Sequence, residues 1–359
     1  MAISLPFDGA AATSRPHEPQ WRVLLDGQEQ QILDGQIRKT LTSWPATLID
    51  LKLVASPLPS QPGGLLLPFG TEVVIQWRVL PVQAWTTIAH GVVTRSQIDR
   101  PDGEWNLEAV DRSGVIAVDI FDRGSWTPPA GMTVADMVVY IVRRTYPGFP
   151  ISQSGAVTTT PVSDDLKVSG DPWAALADQV DSAGGYARFT PDGGQLVVGD
   201  APVIGPPDLA LSTGPGGTIT AYNVIFERAY NRAYITFTDP ADDTVKVYGR
   251  WTLTDPSSPL DPVNLGTNVG YFEERDGTPT QGQADAAAQT LGRRLLGRGQ
   301  NARLNHVATP WLEPGDTLSV TYAEGISQNE LVVAVTIPMG GQEQETTLRN
   351  SDYVGPLTV

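Results

Sequence analysis

Apolar residues fall at two spacings along this chain, and the changes from one to the other divide it. Within residues 21–25, 49–53, 73–79 and 105–109 every second position is apolar, the mark of strands with one buried face. Asp26-Gly27, Asp34-Gly35 and Arg100-Pro101-Asp102-Gly103 punctuate them as turns. The pattern predicts an antiparallel barrel or sandwich over 21–112, after a polar arm, 1–20, that lacks periodicity. Helical spacing takes over after Asp111-Arg112-Ser113. Thr133 is placed to cap one helix, and Asp171-Pro172-Trp173 opens a second that Gly184-Gly185 stops. A hairpin over 186–199 follows, so 113–207 reads as a small α+β domain.

Beyond Gly205-Pro206-Pro207 the strands resume, and 208–359 reads as a second β-barrel domain. It carries one helix, 278–298. Thr278 is the expected cap, Pro279 suits the first turn, and Ala284, Ala287, Ala288, Leu291 and Leu295 form a narrow apolar face. Arg293, Arg294 and Arg298 crowd its last turns, where cations suit the helix dipole. Period two then returns in Ala302, Leu304 and His306, in Leu318 and Val320, and in Leu331, Val333 and Val335. Between the first two of these runs lies the turn Leu312-Glu313-Pro314-Gly315-Asp316. The fold class expected is mainly β with an α+β insert: two antiparallel β-barrel domains flanking a small α+β domain, the helix packed on the second barrel.

This order of elements resembles the hub proteins of phage baseplates, known also as minor tail proteins of long-tailed actinobacterial phages. The resemblance rests on the small-residue helix with the Leu-x-Pro-Gly-Asp turn behind it. It extends to Ala109-Val110-Asp111-Arg112 at the end of the first barrel, the helix, Gly-Gly and hairpin of 173–198, and Tyr222-Asn223-Val224. It implies a tail-tip hub working as a homotrimer that adapts a sixfold tail tube and leaves a channel for DNA. The partners implied are a tail tube or distal tail protein, the tape measure protein and a tail-tip fibre or spike. The location implied is the tail tip of the virion, after synthesis in the host cytoplasm. The chain reaches Val359 without the hydrolase module of enzymatic relatives, and no enzyme activity is expected.

Composition sharpens this in three places. A formal charge of −16, with 24 Lys and Arg against 40 Asp and Glu, argues against a nucleic-acid grip, so DNA is expected only in passage. The same charge predicts an acidic bore that repels phosphate. With no cysteine there is neither a disulfide framework nor a thiolate metal site.

Candidate chemistry is sparse. His17, His90 and His306 share no metal-binding spacing, and Asp239 to Asp243 lacks the glycine and closing glutamate of a calcium loop. The carboxylates Asp99, Asp102, Glu104 and Glu108, and then Glu273, Glu274 and Asp276, read as solvated strand faces and turns rather than a glycosidase pair. No catalytic residue, cofactor site or metal site is expected. Of the nine tryptophans, Trp85, Trp126, Trp251 and Trp311 lie near turns and are candidate interface residues, with Arg293, Arg294 and Arg298. The readings set against the hub are a tail-associated cell-wall hydrolase, a carbohydrate-binding receptor protein and the hub of a contractile injection particle.

Overall fold

The computed structural model describes residues 18–41, 45–54, 68–80, 84–99, 104–122, 124–162, 166–226, 230–239, 242–256, 258, 260–276, 279–296, 300–323 and 325–350. Among them the chain is mainly β with a small α+β insert.

The first β unit contains β1 (Glu18–Leu25), β2 (Gln28–Gln30), β3 (Ile32–Thr40), β4 (Thr47–Val54), β5 (Glu72–Leu80), β6 (Thr86–Asp99) and β7 (Glu104–Val110). Asp26 and Gly27 make its first hairpin at positive φ, 46° and 80°. Strand β2 runs into β3 across Gln31 and pairs with β1. The path β1-β5-β6-β7-β4-β3/β2 therefore closes on itself through β2, while the second half of β3 keeps an edge that β20 takes up.

The middle segment contains α1 (Ser113–Val118), β8 (Ser125–Trp126), α2 (Val134–Thr145), β9 (Ile151–Gln153), a single 3₁₀ turn (Gly155–Thr158), β10 (Val168–Ser169), α3 (Pro172–Ser182), β11 (Gly185–Phe189) and β12 (Leu196–Asp200). Thr133 and Asp136 form a capping box at α2, and Asp171 accepts from Ala174 N–H at 2.9 Å at α3. The sequence signals for both helix starts are therefore met. Helices α2 and α3 bury Met137, Val138, Ile141, Trp173 and Leu176 with strand residues Leu196 and Val198 in a core of their own.

The last segment contains β13 (Leu209–Ser212), β14 (Ile219–Phe226), β15 (Arg232–Asp239), β16 (Asp242–Thr252), α4 (Pro262–Leu265), β17 (Gly270–Asp276), α5 (Gln281–Leu296), β18 (Gln300–His306), β19 (Thr317–Thr321), β20 (Ser327–Pro338) and β21 (Gln344–Asn350). Six of these strands form a second β unit in the order β13-β19-β20-β21-β18-β14. The remaining three, β16-β15-β17, form a separate sheet inserted between β14 and β18.

Helix α5 packs on this inserted sheet, against β16 and β15, and not on the barrel strands. Small residues set that approach. A Cβ at Gly249 would collide with the backbone of Ala284, and one at Gly292 with the Trp251 ring. The helix cap also falls two residues later than Thr278: Thr280 Oγ1 accepts from Gln283 N–H at 3.4 Å, and Gln283 Oε1 accepts from Thr280 N–H at 2.8 Å.

The two β units share one core and one sheet. Strand β3 pairs antiparallel with β20, from Gln36↔Pro338 to Thr40↔Ala334, and Leu41 N–H donates to Val333 O at 2.9 Å. The buried residues on both sides of this seam, Ile37, Val335 and Ile337 among them, form a single apolar cluster.

Candidate functional site

Lettering the strands of each β unit a to f in chain order shows that the units share one topology. In the first, a is β1, b is β2 with β3, c is β4, d is β5, e is β6 and f is β7. In the second, a to f are β13, β14, β18, β19, β20 and β21. Both have the neighbour order a-d-e-f-c-b. Strands d-e, e-f, f-c and c-b are antiparallel in both units. The sense of a against d differs, antiparallel for β1·β5 and parallel for β13·β19, and strand a also pairs with b in the first unit, through β1·β2.

One carboxylate survives that reversal. Asp26 Oδ1 accepts from Glu72 N–H at 2.8 Å while Asp26 N–H donates to Glu72 O at 3.0 Å. Asp208 and Thr317 make the same pair of bonds, at 2.9 and 2.8 Å. Each aspartate thus satisfies the first backbone groups of strand d, which would otherwise be unpaired at a strand end. Entry to strand d is also alike: Phe69, at φ 60°, donates its N–H to Val93 O, and Gly315, at φ 99°, donates to Val332 O. Positive φ is strained for phenylalanine and easy for glycine.

The Leu312–Asp316 turn sits where the two β units and the middle segment meet. Lys39 of β3 and Glu313 form a buried ion pair, 3% and 7% exposed. Arg188 of β11 donates to Pro314 O at 3.2 Å, and the Trp311 ring lies 5.3 Å from that of Trp77. Asp316 Oδ2 accepts from Glu313 N–H at 2.8 Å. Burial, with the charges of Glu313 and Asp208 adding to it, pushes the Asp316 carboxyl up to about 6 against the pull of that N–H and of Arg188. Burial raises the Tyr186 hydroxyl beside it as well.

A second junction holds the middle segment to the first unit. Arg112 donates to Gly193 O at 3.0 Å and to Glu72 at 2.8 Å, and its guanidinium lies 5.0 Å from the centre of the Tyr146 ring. His90 packs under Gly193 beside Glu72; burial, then the Arg112 charge, hold its imidazole below the ordinary range. Asp111 accepts from the N–H groups of Thr47 and Ser113 at 2.8 and 3.0 Å, and burial raises its carboxyl. These contacts hold the middle segment against the first β unit. Nothing in the spacing of His90 or Asp111 along the chain points to these partners.

The candidate interface residues are scattered. Trp85 lies between the guanidinium groups of Arg22 and Arg78, 4.7 and 4.3 Å from its ring centre, on the a-d wall of the first unit. Trp126 stacks on Tyr140 and Phe121 at 4.5 and 5.5 Å inside the middle segment. Trp251 lies against α5, and Trp311 bridges the β units. All four are half-buried in contacts of their own chain. The side chains of Arg293 and Arg294, and all of Arg298, lie outside the described residues, as do His17 and Asp102. His306 is buried in the second unit, where its ring meets Thr346 Oγ1 at 2.8 Å. Glu273 is held by Arg275 at 2.7 Å on β17. Among the described residues no His, Asp and Glu group gathers as a metal site would require.

Among the described residues one outer face is continuous across both β units. Strands β14-β18-β21-β20-β3-β4-β7-β6 follow one another without a break. On the face away from the core, Arg38, Lys52, Arg95 and Arg303 are interspersed with Asp50, Glu104, Glu108 and Glu345. Opposite charges meet across the strands: Lys52–Glu104 at 2.7 Å, Arg95–Glu108 at 3.0 Å and Arg303–Glu345 at 3.4 Å. The acidity of the chain is not gathered here.

Comparison with known proteins returns structures only. No protein-family model matches, and no curated protein matches by sequence. The tail protein of Neisseria meningitidis MC58 is 18% identical with a TM-score of 0.63, over 92% of this chain and 96% of that one. The 43 kDa tail protein of prophage MuSo2 from Shewanella oneidensis is 13% identical with a TM-score of 0.65, over 94% and 100%. The E. coli c3393 protein is 12% identical with a TM-score of 0.57, over 91% and 75%. It is described as a component of the type VI secretion system, similar in structure to the T4 bacteriophage tail proteins gp27 and gp5. At these identities the likeness is one of fold, and it spans nearly the whole chain.

Proposed function

We propose that this chain is a structural protein of a phage tail tip, the hub of its baseplate, acting as a homotrimer. The observation that carries the reading is the shared a-d-e-f-c-b order of the two β units, joined edge to edge within one chain. Two similar units per chain let three chains present six similar units, so a threefold ring can seat on a sixfold tube. The fold that the chain shares with prophage tail proteins supports the same reading. Tail tube or distal tail protein would bind one rim of such a ring, and a fibre or spike the other, with the tape measure protein and then DNA passing through.

In this arrangement the continuous b-c-f-e face lines the bore, and the a-d wall bearing Trp85 faces outward. The bore is then paired in charge and rich in amides and hydroxyls, in place of the acidic lining that net charge alone led us to expect. DNA passes a surface whose charges are already partnered, without the free basic footprint that retains phosphate. Assignment to a contractile injection particle is the second reading, motivated by the likeness to the c3393 protein. Native mass spectrometry of the purified protein tests the trimer: three chain masses are expected, and a sole hexamer or dimer contradicts it.

A further inference from the structure

His90 stands on the outer face of strands d and e of the first unit, beside Glu72, and the turn between β11 and β12 closes over it. The fit leaves no slack. A Cβ on Gly193, which sits at φ 66°, would collide with the imidazole, and only 6% of the His90 side chain is exposed. Nε2 faces Glu72 Oε2 at 3.4 Å, so the carboxylate fixes Nε2 as the nitrogen that carries the proton. Nδ1 then keeps its lone pair, and it has no hydrogen-bond partner among the described residues. The ring is accommodated only while neutral.

A second proton would have to go on Nδ1. Its N–H would point into the glycine turn without an acceptor, and the ring would become a buried cation beside one already there. Arg112 lies 3.5 Å from Nε2 while it donates to Gly193 O and to Glu72. The charged groups around the ring are Glu72 on β5, Arg112 after β7 and Asp192 in the turn itself, with Tyr146 beyond Arg112. Burial raises the Glu72 carboxyl, but Arg112 and His90 outweigh it and hold the group below its ordinary 4.5. A hydrogen bond from Thr190 holds Asp192 below 3.8. Both carboxylates therefore stay ionised where an imidazole titrates.

We propose that the β11–β12 turn is an acid-released latch, which lets go of the first β unit when His90 takes up its second proton. Burial, then the Arg112 charge, keep the closed imidazole below 6.5, whereas an uncovered one titrates at its ordinary value. The open form thus binds more protons. Its ratio to the closed form rises by up to about tenfold for each pH unit below about 6.5, until the closed ring titrates as well, and is flat above about 7. Asp316 acts in the opposite sense, since its carboxyl, pushed up to about 6, favours the folded core as pH falls. Arg188 still donates to Pro314 O at 3.2 Å and Arg275 to Ser182 Oγ at 3.0 Å. Acid therefore parts the middle segment from the first unit while leaving it attached to the last segment.

Because the chain has no cysteine, nitroxide labels at Gln28→Cys and Gly194→Cys, both exposed positions, read the turn against the first unit. Labelled chains are diluted into unlabelled ones, so that only distances within a chain count. One short distance is expected at pH 8. A longer population should grow by up to about thirtyfold between pH 8 and pH 5, with the protection of the β4 and β20 amides retained. His90→Gln keeps a neutral amide for Glu72 and should abolish the pH dependence. Asp192→Asn removes a charge that offsets the imidazolium, so it should enlarge the long population at pH 5 and leave pH 8 unchanged. A parent distance that is the same at both pH values, or a His90→Gln variant that opens as the parent does, overturns the latch. So does loss of β4 and β20 protection at pH 5, which would mean general unfolding. If His90→Gln does not fold, Asp192→Asn decides, and an effect equal at both pH values, or none, overturns the proposal.

Discussion

Replacing Lys39 by Met removes the cation bonded to Glu313 while keeping an unbranched side chain of similar length in the same slot. Both groups are almost wholly buried, so water screens the stranded carboxylate very little. Its surroundings worsen the loss, since Asp316 and Asp208 are carboxylates of the same junction. Removing one partner of such a pair costs about 3–5 kcal/mol, most of it the uncompensated charge. Glu313→Leu strands the ammonium instead and carries a cost of the same order. The double replacement removes both charges and is expected within about 1–2 kcal/mol of the parent, since an apolar pair substitutes well for a buried ionic one. Urea titration at pH 7.5, followed by tryptophan fluorescence and far-UV circular dichroism, gives each difference from the midpoint shift at constant slope. Where the two probes diverge, exchange of the Ile37 and Val335 amides, both at hydrogen-bonded positions of the seam, reads the seam itself. A single Lys39→Met cost below about 1 kcal/mol, or a double variant as unstable as the summed singles, would refute the role assigned to this pair.

Asp316 makes stability depend on pH in the less usual direction. Its folded pKa of about 6 exceeds the ordinary 3.8, so the folded protein binds more protons between those values and stability falls as pH rises through that window, by at most about 3 kcal/mol. Asp316→Asn keeps an oxygen for the Glu313 N–H and should flatten this slope, gaining roughly 1–3 kcal/mol at pH 8; an unchanged slope in chemical denaturation would count against it. Gly249→Val should push α5 off its sheet at a cost above about 2 kcal/mol, seen as selective protease sensitivity of the inserted sheet with β-unit exchange unchanged. Collapse of all regions together would contradict the separate packing of that sheet. Glu273→Gln with Glu274→Gln should leave no catalytic deficit, because the parent protein is expected to release nothing from purified cell wall; release by the parent but not the variant would make it an enzyme.

Much of the fold was legible because its signals are local. Period-two alternation marked strands in both β units, and Thr133 and Asp171 marked helix starts by side-chain chemistry that acts within three residues. Pairing is non-local, and there the sequence was silent. Nothing in the alternation of β3 and β20 says that they are partners, and the two units share a strand order without a detectable repeat. Strand β17 was missed because its charges, Glu273, Glu274, Arg275 and Asp276, dominate the pattern, while Tyr271 packs inward and Phe272 stays exposed. The same insertion explains the helix, whose narrow alanine face fits the glycine of β16 instead of a barrel wall. Lys39 could have been found: it shares the inward parity of Ile37, and a lysine there demands a buried acid. The partners of the four tryptophans, the two guanidinium groups at Trp85 and the Trp77 ring at Trp311 among them, lie mostly far off in sequence or on other strands, so local pattern does not show them.

The central claim is a ring of six similar β units made by three chains, and a density map of the assembled tail tip tests it most directly. The account predicts three copies around a single channel, with the β3·β20 seam joining the two β units within each chain. One copy or six at that level, or β units of one chain that are not joined by that seam, would contradict it.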